Sequence, residues 1–113
     1  MNTTGFIRGY MAKNMENEKF LIHVLDCLKQ EFGFTTNLNI DEDNYKIAIE
    51  NYEVNLNKEE CRKLQERGAY ILDRYILEDL EAKEFKFDKE RSQYIRYCFN
   101  IFYKNEASIL KNS

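Results

Sequence analysis

The stretch DEDN, Asp41 to Asn44, sets three carboxylates in a row, the kind of oxygen donors that hold a calcium ion. A calcium loop also needs a glycine for its sharp turn and later ligands closing the site, and neither follows here. Glu78 and Asp79 pair two more carboxylates, but helix neighbours point about 100° apart and do not share a reacting bond. The single histidine, His23, stands in the apolar run FLIHVLDCL and reads as a helix-face residue rather than a base. Cys27, Cys61 and Cys98 are odd in number, far apart and without a CxxC pair. They read as three buried thiols, one per helix, and not as a zinc clip or a disulfide framework. No glycine-rich phosphate loop, nucleophile elbow or HExxH is present. The expectation is a protein that is not an enzyme and uses no cofactor and no metal.

Charge is the more informative signal. Residues 1–40 hold four acids and four bases, and residues 61–113 hold nine acids and eleven bases. Residues 41–60 hold seven acids against Lys46 and Lys58, more than the whole formal net charge of −3. An acidic patch repels a nucleic-acid backbone and attracts a basic protein surface. Asp41, Glu42, Asp43, Glu50 and Glu53 are therefore the expected partner-binding residues, with a solvated set of turns as the plainer alternative.

These residues need elements to position them. A chain of 113 residues is one domain, able to bury roughly 60–70% of its unfolded surface without cross-links. Eight Phe and eight Tyr, with no Trp and no Pro, call for a core of large rings on regular elements. Residues 1–13 carry Gly5 and Gly9 among Phe6, Ile7, Tyr10 and Met11, and are expected as an irregular arm that packs on the domain or meets a partner. From Asn14 onwards a single α+β domain is expected. Leu21, Val24, Leu25, Leu28 and Phe32, with Phe20 beside them, follow a helical stripe that Gly33 can end.

The period then changes to two. In NLNIDEDNYKIAIENYEVNL the alternation slips between Ile49 and Tyr52, and a two-residue turn at Glu50-Asn51 absorbs the slip. Ile49 then faces Tyr52, Ile47 faces Val54 and Tyr45 faces Leu56, while a turn at 41–44 sets Ile40 opposite Tyr45. The expectation is a three-stranded antiparallel meander with a primed turn and φ > 0 at Asn51. Asn57 can cap one long helix reaching about Ala82. Its seam is Cys61, Leu64, Gly68, Ile71 and Tyr75, with Leu72, Ile76 and Leu80 as a second row. After the linker KEFKFD, Asp88 can cap a last helix with Tyr94, Ile95, Cys98, Phe99, Phe102 and Ile109 inside. The expected order is αβββαα.

RSQYIR, Arg91 to Arg96, resembles the second-helix opening of ribbon-helix-helix repressors. The resemblance implies DNA binding, with Lys86, Lys89, Arg91 and Arg96 as the basic side of the last helix. Such repressors read DNA with basic or amide side chains on a preceding strand. The outward face of this hairpin instead offers Lys46, Ala48, Glu53 and Asn55. The element order resembles that of small acidic anti-CRISPR inhibitors, which implies an inhibitor carried by a phage or another mobile element.

The combined expectation is a small acidic protein that binds and modulates a protein partner with a basic surface. Nucleic acid is the alternative partner, and a homodimer zipped through exposed aromatics is a third arrangement. No apolar run approaches the roughly 20 residues that span a bilayer, and MNTTGFIRGYMAK lacks a signal-type apolar stretch, so a cytoplasmic location without membrane contact is expected.

Overall fold

Alternation of apolar and polar residues from Leu38 to Leu56 folds as a meander in the computed structural model, which describes residues 4–101. The strands are β1 (Thr36–Ile40), β2 (Asn44–Ile49) and β3 (Tyr52–Asn57), paired antiparallel in that spatial order. The register sets Ile40 opposite Tyr45, Leu38 opposite Ile47, Ile47 opposite Val54, and Ile49 opposite Tyr52. Period two therefore places Tyr45, Ile47, Ile49, Val54 and Leu56 on one buried face. A one-residue slip would turn that whole set into water, which is what holds the register.

The tight turn between β2 and β3 differs from its expected form. Glu50, not Asn51, takes the left-handed conformation, with φ 52°. Positive φ at the first central residue alone matches the turn that favours glycine there. Glu50 is held in it from both sides: its amide donates to the Thr35 carbonyl at 2.9 Å, and its carboxylate accepts from the Thr35 amide at 2.8 Å. Replacing Asn51 by Gly thus relieves no strain and adds freedom to the unfolded chain. We expect a loss of about 0.5–1 kcal/mol in urea denaturation. A gain in stability would place the positive φ on Asn51 after all.

Five helices among the described residues complete the α+β fold: α1 (Thr4–Asn14), α2 (Asn17–Phe32), α3 (Lys58–Arg67), α4 (Ile71–Ala82) and α5 (Gln93–Cys98). The segment expected as an irregular arm is α1, so the order is ααβββααα. Its glycines do not stop it, because tertiary contacts through Arg8 and Ala12 hold the helix in place. α2 buries Phe20, Leu21, Val24, Leu25 and Leu28, the expected stripe except for Phe32, which is half-buried, and Gly33 closes it in the left-handed region with its amide on the Lys29 carbonyl. Asn57 caps α3, its side-chain oxygen accepting from the amides of Glu59 and Glu60 at 2.9 and 3.2 Å.

The long helix expected from Asn57 to Ala82 is two helices. Gly68 stands in extended backbone, and a Cβ there would lie 3.1 Å from Ile71. The break rotates α4 against the seam of α3. Leu72, Ile76, Leu77 and Leu80 become core, while Ile71 and Tyr75 are only half-buried. The last helix is also shorter than expected. Ser92, rather than Asp88, caps it by accepting from the Ile95 amide at 3.1 Å, and Asp88 instead caps the turn at Glu90. Phe102 and Ile109 lie outside the described residues. Between α4 and α5, Phe85 and Phe87 fold back onto Phe32 and Phe34, with ring centroids 5.2–5.8 Å apart, so the expected linker is part of the core edge.

Candidate partner-binding surface

The acidic residues sit where short polar side chains favour turns. Asp41 to Asp43 form the β1–β2 turn. The Asp41 carboxylate accepts from the amides of Asp43 and Asn44 at 3.1 and 2.8 Å, an Asx-type turn that the sequence DEDN makes without help. Those two amides hold its pKa below the ordinary carboxylate range. A depressed folded pKa stabilises the protein above the unfolded value, and that stability is lost as pH falls through the folded value. Asp41 is thus occupied in building the turn. Glu42 and Asp43 are exposed, and their side chains make no ion pair among the described residues.

The turn abuts the start of α3, because the Lys58 amide donates to the Asp43 carbonyl at 2.9 Å. That brings Glu59 and Glu60 to the same end of the sheet, with Glu59 neutralised by Arg62 at 2.9 Å. Glu50 and Glu53 lie at the other end of β2, roughly 20 Å away for a strand of this length. The structure therefore divides the five expected residues between two ends. Asp41, Glu42 and Asp43 are together at one. Glu50, bonded to Thr35, and Glu53, on the outward face of β3 opposite Ala48, are at the other.

The basic residues of the alternative site are placed differently. Lys89 lies 3.2 Å from Glu81 and over the Phe99 ring. Arg91 pairs with Glu31 at 2.7 Å, donates to its carbonyl at 3.2 Å, and covers the Phe32 ring at 4.4 Å. Arg96 donates to the Glu90 carbonyl at 2.9 Å. These cations pin the 85–92 segment to the aromatic cluster. Lys86 alone of the four faces solvent without a partner among the described residues.

Sequence reasoning missed the polar centre of the molecule. Arg8 of α1 is 3% exposed and Asp73 of α4 is fully buried. They meet as a bidentate pair at 2.5 and 2.7 Å, the geometry in which a guanidinium fits a carboxylate best. The break at Gly68–Tyr70 leaves the Ala69 carbonyl free, and Arg8 Nη1 takes it at 2.7 Å. Tyr94 donates to Asp73 Oδ2, the oxygen that also accepts from Arg8 Nη2, and Arg8 stacks over Tyr70 and Phe20. Gln65 makes a second tie, donating to the Ala12 and Met15 carbonyls, both at 2.9 Å, and accepting from Asn17. The available signal was Asp73 in ILDRYIL, a carboxylate in phase with Ile76, Leu77 and Leu80, which calls for a buried cation.

A cavity of about 210 Å³ opens beside this pair, lined by Ile7, Met11, His23, Cys27, Tyr70 and Tyr94 among others. His23 Nε2 is 3.5 Å from Cys27 Sγ. Burial, with the nearby Arg8 charge, lowers the His23 pKa, and burial raises that of Cys27. Both are therefore neutral at pH 7, an imidazole beside a thiol rather than a thiolate pair. Cys27 is only partly buried, unlike Cys61 and Cys98. Phe6 and Tyr10 project from the opposite side of α1, 79% and 66% exposed.

Among the described residues no helix is long and apolar enough to cross a membrane. Comparison of the chain with protein families, characterised proteins and solved structures finds no match.

Proposed function

We propose that this protein is a non-catalytic binder that engages a partner protein through a basic surface on the partner and modulates its activity, as an inhibitor would. One contrast carries the reading. Glu42, Asp43 and Glu53 stand in water without a counter-charge among the described residues, whereas Lys89, Arg91 and Arg96 are held by Glu81, Glu31 and the Glu90 carbonyl. A nucleic-acid site needs cations free to displace counterions from phosphates. A surface for a basic protein needs acids that no internal cation has neutralised, which raise association rates at low salt. The polar ties of α1 and the capped turns hold these acids on a rigid frame, so little is lost in ordering them.

The test is capture by the immobilised protein from an extract of the cells that make it, with and without nuclease, beside a DNA mobility-shift assay near physiological salt. Expected is a retained protein that survives nuclease treatment, and DNA binding no tighter than the non-specific range. Retention that nuclease abolishes, or sub-micromolar sequence-dependent DNA binding lost in Lys86→Ala, would favour a nucleic-acid-binding regulator instead.

A further inference from the structure

A three-stranded meander has two edges, and they are not alike. β3 carries Glu53 and runs directly into α3, which packs against it together with α4. β1 reads TNLNI: no charge, no proline, and five successive pairs with β2 that admit no bulge. Among the described residues, shortness is the one usual guard against strand addition that it has.

Its hydrogen-bonding parity follows from both ends. The Glu50 amide donates to the Thr35 carbonyl and the Asp41 amide to the Asn44 carbonyl, at 2.9 and 3.0 Å. In an antiparallel ladder, residues 35, 37, 39 and 41 then bond to β2, and Thr36, Leu38 and Ile40 turn their N–H and C=O groups outward. Among the described residues those outward groups have no hydrogen-bond partner. The side chains of the same three residues lie on the covered face of the sheet, opposite Ile49, Ile47 and Tyr45. Leu38 is half-buried and Ile40 is 42% exposed, so the apolar face extends past the helices that cover it.

Charge decides what fits there. Glu42 and Asp43 stand at one end of this edge and Glu50 at the other. A second copy pairing through the same strand would set acid against acid in either direction: turn on turn if parallel, turn on Glu50 if antiparallel. We propose that β1 receives an extended segment of the partner protein as a fourth strand, apolar at alternate residues and carrying Lys or Arg at both ends. The inference rests on the acidic-surface reading above and names what that surface frames. Main-chain bonds supply affinity in such additions, and the alternate side chains supply selectivity.

The experiment uses the full chain and a synthetic peptide in which valine alternates with threonine between paired lysines at each end. Its control is the same peptide N-methylated along its central residues, which keeps the charge and removes the strand's donors. Expected is binding of the first peptide at least about tenfold tighter than the second. The amides of Thr36, Leu38 and Ile40 should exchange quickly in the free protein and slowly in the complex. Leu38→Pro removes an amide that the sheet itself does not use. It should keep the far-ultraviolet circular dichroism of the wild type and bind the first peptide about tenfold more weakly. Equal binding of both peptides without amide protection would overturn the added strand while leaving the acidic surface standing. Failure of both peptides to bind at low salt would overturn the two together. Protection of those amides in the free protein, with a dimer mass in sedimentation, would assign the edge to a second copy and overturn the partner strand.

Discussion

Replacing Asp73 by alanine is expected to destabilise the protein by about 3–5 kcal/mol, because it leaves the Arg8 guanidinium buried without its counter-charge. Asp73 is fully buried and accepts from both Arg8 nitrogens and from Tyr94, so the substitution orphans three donors at once. Arg8 cannot escape by losing its proton, because a guanidinium stays charged inside proteins even without a counter-charge. Its remaining course is to pull α1 away from the domain. Urea denaturation followed by circular dichroism measures the loss. Combining Arg8→Met with Asp73→Leu should recover most of it, because replacing both members of a buried pair by apolar residues is often neutral or better. If Asp73→Ala costs less than about 1 kcal/mol, the pair is not buried as described.

The second large effect lies in the sheet. Ile47 is fully buried in the middle of β2, between Leu38 and Val54. Ile47→Asp loses an aliphatic side chain, at about 2–5 kcal/mol, and also buries a carboxylate with no cation opposite it. The sum reaches the whole stability of a typical domain, roughly 5–15 kcal/mol, so the protein should be unfolded or insoluble. Lys46→Asp, one residue away on the outward face, should stay within about 1 kcal/mol of wild type. A soluble Ile47→Asp protein with a wild-type melting curve would show that the strand faces are reversed.

What could be read before the structure, and what could not, divides by sequence distance. The meander registers are legible because period two and a two-residue turn are local, and every pair in the hairpin lies within some fourteen residues. The stripe of α2 and the Asn57 cap are legible for the same reason. The break at Gly68 was half visible, as a glycine in a helical seam, but only the tight approach to Ile71 and the use of the Ala69 carbonyl by Arg8 show why the helix stops there. Helix propensity at Gly5 and Gly9 is poor, so residues 1–13 look like an arm in the sequence, whereas the support of α1 comes from Asp73 and Gln65, more than fifty residues away. The acidic set was legible as composition. Its division between two ends of the sheet was implicit in the expected meander, because β2 alone separates the turn that holds Asp43 from the turn that holds Glu50. The role of Asp41 in its own turn also removes it from the residues that can be reversed without consequence for the fold.

The most direct measurement of the central claim is the affinity for the captured partner of wild type and of Glu42→Lys/Asp43→Lys/Glu53→Lys, across a salt series from about 0.05 to 0.5 M, where the screening length falls from roughly 14 to 4 Å. These three side chains are exposed and make no ion pair among the described residues, so the triple variant should keep its melting curve close to that of wild type. The account predicts that wild-type affinity falls steeply with salt, mostly through a slower association rate, and that the variant binds at least about a hundredfold more weakly at low salt. A variant that binds as tightly as wild type, with an affinity indifferent to salt, would contradict it and would move the interface to the exposed Phe6 and Tyr10 of α1.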